Sequence, residues 1–136
     1  MAIDKVFGPV DVAVSGMQAQ NKSLSAIYSN VANARTTDAG GGLPYRRVEA
    51  IFRSQDVGDP LGGVMVDKIA QDVSAFPEVF DPASPNADAG GYVKMPNVNL
   101  PTEMINLTIA TRAYQANAAV LKRYQQIVDT ALELLR

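Results

Sequence analysis

The residues from which this chain could build a polar site are its carboxylates, its lysines and two asparagines in one short stretch. The sequence holds neither cysteine nor histidine. That removes thiol nucleophiles, Cys/His zinc centres and every Ser-His-Asp or Cys-His arrangement. Acid–base work would fall to Asp, Glu or Lys, and the acidic residues are scattered rather than clustered. The reading is therefore not an enzyme, with no cofactor and no metal. The asparagines stand in Ser29 to Thr37, "SNVANARTT", where Asn30 and Asn33 are three apart and ringed by small residues. What precedes them looks helical, and the "DAGGGLPYRR" that follows cannot stay helical. Such a pair at a helix end can be a polar site, a cap or a contact surface.

The other motif-like stretches have plainer readings. "AGGGLP" lacks the Gly-Lys-Ser/Thr of a phosphate loop and reads as a flexible turn. "DPASPNADAGG" resembles a calcium loop only faintly. Counted from Asp81, Asn86 and Tyr92 fall where Gly and Glu are required, so Asp81 and Asp88 read as turn residues. The Asn-x-Ser/Thr matches at Asn21 and Asn106 lie inside predicted helices. Arg46-Arg47 could meet acidic groups on a partner, although a solvated strand edge is the commoner outcome. Met17, Met65, Met95 and Met104 read as packing residues.

A chain of 136 residues makes one ordinary domain. The chain is 47% apolar and 19% charged, so it is not a disordered tail. A net charge of -2 argues against nucleic acid as a partner. No apolar run is long enough for membrane insertion. The start, "MAIDKVFGPVD", has no basic n-region and its apolar run is broken by Pro9 and Asp11, so no cleaved secretory signal is expected.

Two heptad segments must position everything else. Phe7, Val10, Val14, Met17, Asn21, Leu24, Tyr28 and Val31 alternate in steps of three and four. So do Met104, Leu107, Thr111, Tyr114, Ala118, Leu121, Gln125, Val128, Leu132 and Leu135. Alternating steps sustained over four to five heptads are a coiled-coil pattern, with these residues as the helix seams. Asn21, Thr111 and Gln125 sit at a positions, where a buried polar residue fixes register. In this register Asn30 and Asn33 fall at c and f. They are expected to face away from the partner helix and to bond the following loop or a neighbouring subunit.

The first helix should start near Gly8-Pro9 and end near Ala34, with Gly16 costing about 1 kcal/mol against Ala. The second should open at "NVNLPTEM", with Asn99 as N-cap, Pro101 in the first turn and Glu103 favouring the positive helix end. The segments are thus 1–34, 35–98 and 99–136, forming one structural unit. The middle holds most of the proline and glycine. "YRRVEAIF" and "GVMVDKIAQD" read as strands, and Tyr92 to Met95 as one more short strand in a loop. The fold class is α+β: long terminal heptad helices forming a coiled-coil-like pair, with a small β-hairpin or three-stranded patch between them. The seams want partners, so the helices should pack fully only in an assembly.

This architecture resembles the bacterial flagellar axial proteins of the rod and hook. "SNVANARTT" is similar to their N-terminal signature. "GYVKMPNVNLPTEMINLTIATRAYQANAAVLK", Gly91 to Lys122, closely resembles the matching stretch of the short proximal rod proteins. The resemblance covers both ends of the chain, and "TTDAGGGLP" is a loop variant on it. It implies subunit contacts at Ser29, Asn30 and Asn33, then at Gly91, Tyr92, Met95, Pro96 and Asn97. In the second helix it implies them at Glu103, Met104, Arg112, Tyr114, Gln115 and Asn117. It further implies export in unfolded form through the flagellar type III apparatus and residence in the periplasmic part of the basal body. The implied partners are like subunits, other rod proteins and the basal-body ring and export apparatus, in a helical tube that transmits torque for motility. The competing reading is a soluble coiled-coil adaptor or a needle-like component of a secretion system, which would not need the "GYVKMPNV" joint.

Overall fold

Pro9 and Asp11 occupy the first turn of a helix, where a missing N–H is harmless and a negative charge meets the positive helix end. That helix, α1, spans Gly8–Ala32 in a computed structural model that describes residues 8–55 and 62–135. Phe7, the first residue of the heptad count, lies outside the described residues, as does most of the turn between the first two strands. The last helix, α2, spans Leu100–Glu133. Its N-cap is Asn99, whose side chain accepts the Thr102 N–H at 3.0 Å, and Pro101 follows in the first turn.

The middle folds as two separate hairpins. Strands β1 (Val48–Ser54) and β2 (Val64–Gln71) pair antiparallel, with the register shifting between Ile51 and Phe52. Strands β3 (Glu78–Phe80) and β4 (Tyr92–Lys94) form the second pair. The sequence predicts a strand at Tyr92 and loop at "FPEVF", whereas Glu78–Phe80 pairs as a strand. Three residues bracketed by Pro77 and Pro82 are too few for an alternation to register. Asp88 makes the second turn, accepting the Gly90 and Tyr92 N–H groups at 2.8 and 2.9 Å, with Gly91 in the left-handed region. Phe80 meets Tyr92 edge-on with ring centroids 5.3 Å apart.

The "AGGG" stretch forms a turn around Asp38. Asp38 accepts N–H bonds from Gly40 and Gly42, and Gly40, Gly41 and Gly42 all have positive φ. That backbone suits glycine alone.

Helix α1 touches both α2 and the β1–β2 hairpin, while β3–β4 touches none of the other elements. The helices are antiparallel: Asn30 bonds Glu103 at one end, and Gly16 lies against Asn117 near the middle. A Cβ added at Gly16 would lie 2.6 Å from the Asn117 Nδ2. The glycine that the sequence reading counted as a helix weakness therefore permits close approach.

This close approach rotates the seam. The buried α1 residues are Ala13, Ser15, Gly16, Ala19, Ala26, Ile27 and Asn30, and those of α2 are Glu103 and Ala110. The counted seam sits off that face. Val10, Val14, Met17, Leu24 and Val31 are half-buried, and Asn21 and Tyr28 are exposed. On α2, Leu107, Thr111, Tyr114, Ala118 and Leu121 are half-buried. Met104, Gln125, Val128, Leu132 and Leu135 are exposed. Within the chain, neither Asn21 nor Gln125 is a buried register device. At Gly16 the missing side chain lets Asn117 of α2 come close, which a larger residue there would prevent.

Candidate functional site

Asn30, 0% exposed, has every hydrogen-bonding position of its side chain filled. Its Nδ2 donates to the Val48 carbonyl at 2.8 Å and to Glu103 Oε2 at 3.0 Å. Its Oδ1 accepts the Val48 N–H at 2.9 Å and the Tyr45 hydroxyl at 3.1 Å. The amide thus behaves like one residue of a neighbouring strand, closing the edge of β1. The heptad register had placed Asn30 facing away from the second helix, and the structure corrects this: it bonds α2 directly. The same register anticipated its bonds to the following loop.

Glu103 is likewise 0% exposed, on the first turns of α2. A carboxylate there is stable only with charge and hydrogen bonds to replace water. Arg47, immediately before β1, supplies both through Nε, 2.7 Å from Glu103 Oε1. Its Nη1 reaches Glu49 at 2.9 Å and Asp72 at 3.5 Å. Burial pulls the Arg47 pKa down, but hydrogen bonds to Glu103 and Glu49, with their charges, outweigh it and hold the guanidinium above its ordinary value. Removing Arg47 would leave Glu103 buried without a counter-charge, at a cost of about 3–5 kcal/mol.

A polar ring surrounds this pair. Asn97 Oδ1 accepts the Arg47 N–H at 2.8 Å, and its Nδ2 donates to the Asp72 carbonyl and to the Ser74 hydroxyl. Asp72 accepts the Ser74 N–H at 2.9 Å. The Ser74 backbone and hydroxyl, with a smaller push from Arg47, hold the Asp72 carboxyl below the ordinary carboxylate range. Arg46 lies 4.2 Å over the Phe76 ring and donates to the Asp72 and Ser74 carbonyls. Ser29 bonds the Tyr45 hydroxyl at 3.0 Å. Among the described residues no buried side-chain N or O lacks a partner.

Of the residues singled out from the sequence, the joint gathers Ser29, Asn30, Asn97 and Glu103. Asn33 stays local, donating to the Ser29 carbonyl and accepting from Thr36, and so caps its own helix end. Gly91 and Tyr92 belong to the second hairpin, Met95 bonds the Pro77 carbonyl, and Pro96 is buried. Asn117 lies against Gly16 and Tyr114 is half-buried, while Arg112 and Gln115 point outward. Arg47 was expected to meet acidic groups on a partner or solvent and instead meets Glu103 of its own chain, while Tyr45 and Asp72 were not anticipated. The available signal was Glu103 as the lone carboxylate in the first turns of a long amphipathic helix.

Chemically, the arrangement fastens rather than reacts. It ties α1, β1 and the start of α2 with charge-assisted bonds, and among the described residues no His/Cys/Asp/Glu group is arranged to hold a metal.

A family model described as the C-terminal part of the flagellar basal body rod FlgEFG proteins matches residues 89–134. Flagellar basal-body rod protein FlgC of Salmonella typhimurium is 38% identical over 135 residues, covering 98% of both chains. The Yersinia enterocolitica protein of the same name is 40% identical over 125 residues, covering 91% of this chain and 93% of its own. That of Bacillus subtilis is 36% identical, covering 94% and 97%.

Proposed function

This chain belongs to the FlgC family of flagellar basal-body rod proteins and is a structural subunit of the rod, and we propose that it builds, with like subunits and neighbouring rod proteins, a helical tube that carries motor torque. The observation that carries this reading is the outer face of α2. Ile105 and Ile109 are each 61% exposed, Val120 47% and Ile127 66%. Ile105, Ala116 and Ile127 stand eleven apart, as do Ile109, Val120 and Ala131. An eleven-residue repeat holds such a stripe on one face of a nearly straight helix. A lone subunit gains nothing from an apolar stripe of that length, whereas a neighbouring helix would bury it. Contacts of this kind, repeated between different faces, give an open helical filament.

The ring and export apparatus as further partners, the periplasmic position and export without a cleaved signal follow the family. No helix among the described residues is long and apolar enough to cross a membrane. The adaptor and needle readings are not favoured, since the relatives named above are basal-body rod proteins.

The test is to delete the gene, score swimming, and inspect purified basal bodies for rods, then restore the gene in trans. Loss of both with recovery on restoration is expected. Normal swimming with intact rods would sink the assignment.

A further inference from the structure

Pairing α1 with α2 takes the Glu103 carboxylate out of water, and neither helix supplies the charge that makes this tolerable. Asn30 on α1 offers Oε2 a neutral N–H at 3.0 Å. The cation comes from outside the helix pair, from Arg47 immediately before β1, and among the described residues it is the only cation in ion-pair range of Glu103. Arg46, its neighbour, is occupied by the Phe76 ring and the carbonyls of Asp72 and Ser74. The arrangement is also lopsided. Arg47 stays 17% exposed and keeps Glu49 and Asp72 when Glu103 is lost. Glu103, fully buried, would keep the neutral Asn30 amide and no charge when Arg47 is lost.

We propose that Glu103 is a gate on helix pairing: α2 accepts α1 only after β1 has delivered Arg47 to the same joint. A buried carboxylate without a counter-charge is heavily disfavoured, whereas a neutral side chain of the same shape is not. The terminal helices, rich in half-covered seams, are thereby barred from pairing ahead of the middle segment. An α1 offered by another subunit without its β1 is rejected on the same ground, which is specificity by penalty. The gate does not depend on the rod assignment.

The gate predicts an asymmetry that simple packing does not. The chain has no cysteine, so Gly16→Cys with Asn117→Cys gives a reporter whose only disulfide is between the two helices. Cross-link yield is measured in full-length chains carrying this reporter. Arg47→Met should lower the yield at least about tenfold, the scale expected for an uncompensated buried charge. Glu103→Gln, which turns one of the two accepting oxygens into a donor, should lower the yield far less than Arg47→Met does, and Arg47→Met with Glu103→Gln should recover toward the Glu103→Gln level. Recovery on removing a second group of the joint is the signature of a gate. A parent that fails to cross-link, an Arg47→Met chain that cross-links normally, or a double variant that stays low would each overturn the proposal.

Discussion

Asn30 bonds both the N–H and the carbonyl of Val48, at 2.9 and 2.8 Å, so one side-chain amide takes the place of a strand along the open edge of β1. Only a side chain with a donor and an acceptor side by side can do this, which restricts the position to Asn or, with a longer reach, Gln. Asn30→Ala should destabilise the chain by about 2–4 kcal/mol, because Val48 and Glu103 lose partners while buried. Asn30→Asp should be worse still, since it adds a negative charge beside Glu103. Urea denaturation of the two variants ranks them, and an Asp variant as stable as the Ala variant would contradict this account.

Gly16 is predicted to be coupled to Asn117. Gly16→Ala gains helix propensity of about 1 kcal/mol but must displace the Asn117 amide. The single change should therefore be close to neutral. In an Asn117→Ala background the same change should stabilise by about 0.5–1 kcal/mol. A double-mutant cycle in denaturant measures the difference, and strict additivity would show that the amide does not crowd the site.

Acid should weaken the joint through Asp72. Its folded pKa lies below the ordinary carboxylate value, so its contribution is complete above the unfolded pKa and is lost as pH falls through the folded one. Arg47 works in the opposite sense: raised above its ordinary value, it contributes across the accessible range and would be lost only in strong alkali. Thermal melts between about pH 6 and 2 should show a shallower fall for Asp72→Asn than for the parent. Parallel curves would remove Asp72 from the acid response.

The outer stripe should separate folding from assembly. Ile127→Asp alters a side chain 66% exposed, so stability should change by no more than about 0.5 kcal/mol. Swimming and incorporation into rods should nonetheless be lost, because a neighbouring helix would have to bury the new charge. A motile Ile127→Asp strain with normal rods would place the subunit contact elsewhere.

Periodicity carried the helices and the first hairpin, because a heptad over thirty residues and two alternating runs are long signals. It failed where the signal was short or lay between distant residues. β3 has three residues. The joint links Asn30 to Glu103 across 73 positions, which no local count connects. The seam misled for a further reason. Counting rewards large apolar side chains, yet most buried positions of α1 are small, Ala13, Gly16, Ala19 and Ala26 among them, and at Gly16 the lack of a side chain admits Asn117 of α2. Asn30 was misplaced with the seam, since its heptad position inherited that rotation. Arg47 was read with Arg46 as one basic pair, although one ends on an aromatic ring and the other in a buried ion pair.

The β3–β4 hairpin touches no other element, and the bond from Asn86 to Thr37 ties its turn to the loop after α1. Pro82 and Ala83 at the start of that turn are exposed. Insertions are best tolerated where little buried backbone is disturbed. A short epitope or dye-binding tag placed between Pro82 and Ala83 thus gives a handle for following single subunits under the microscope, leaving the helix pair and its joint untouched.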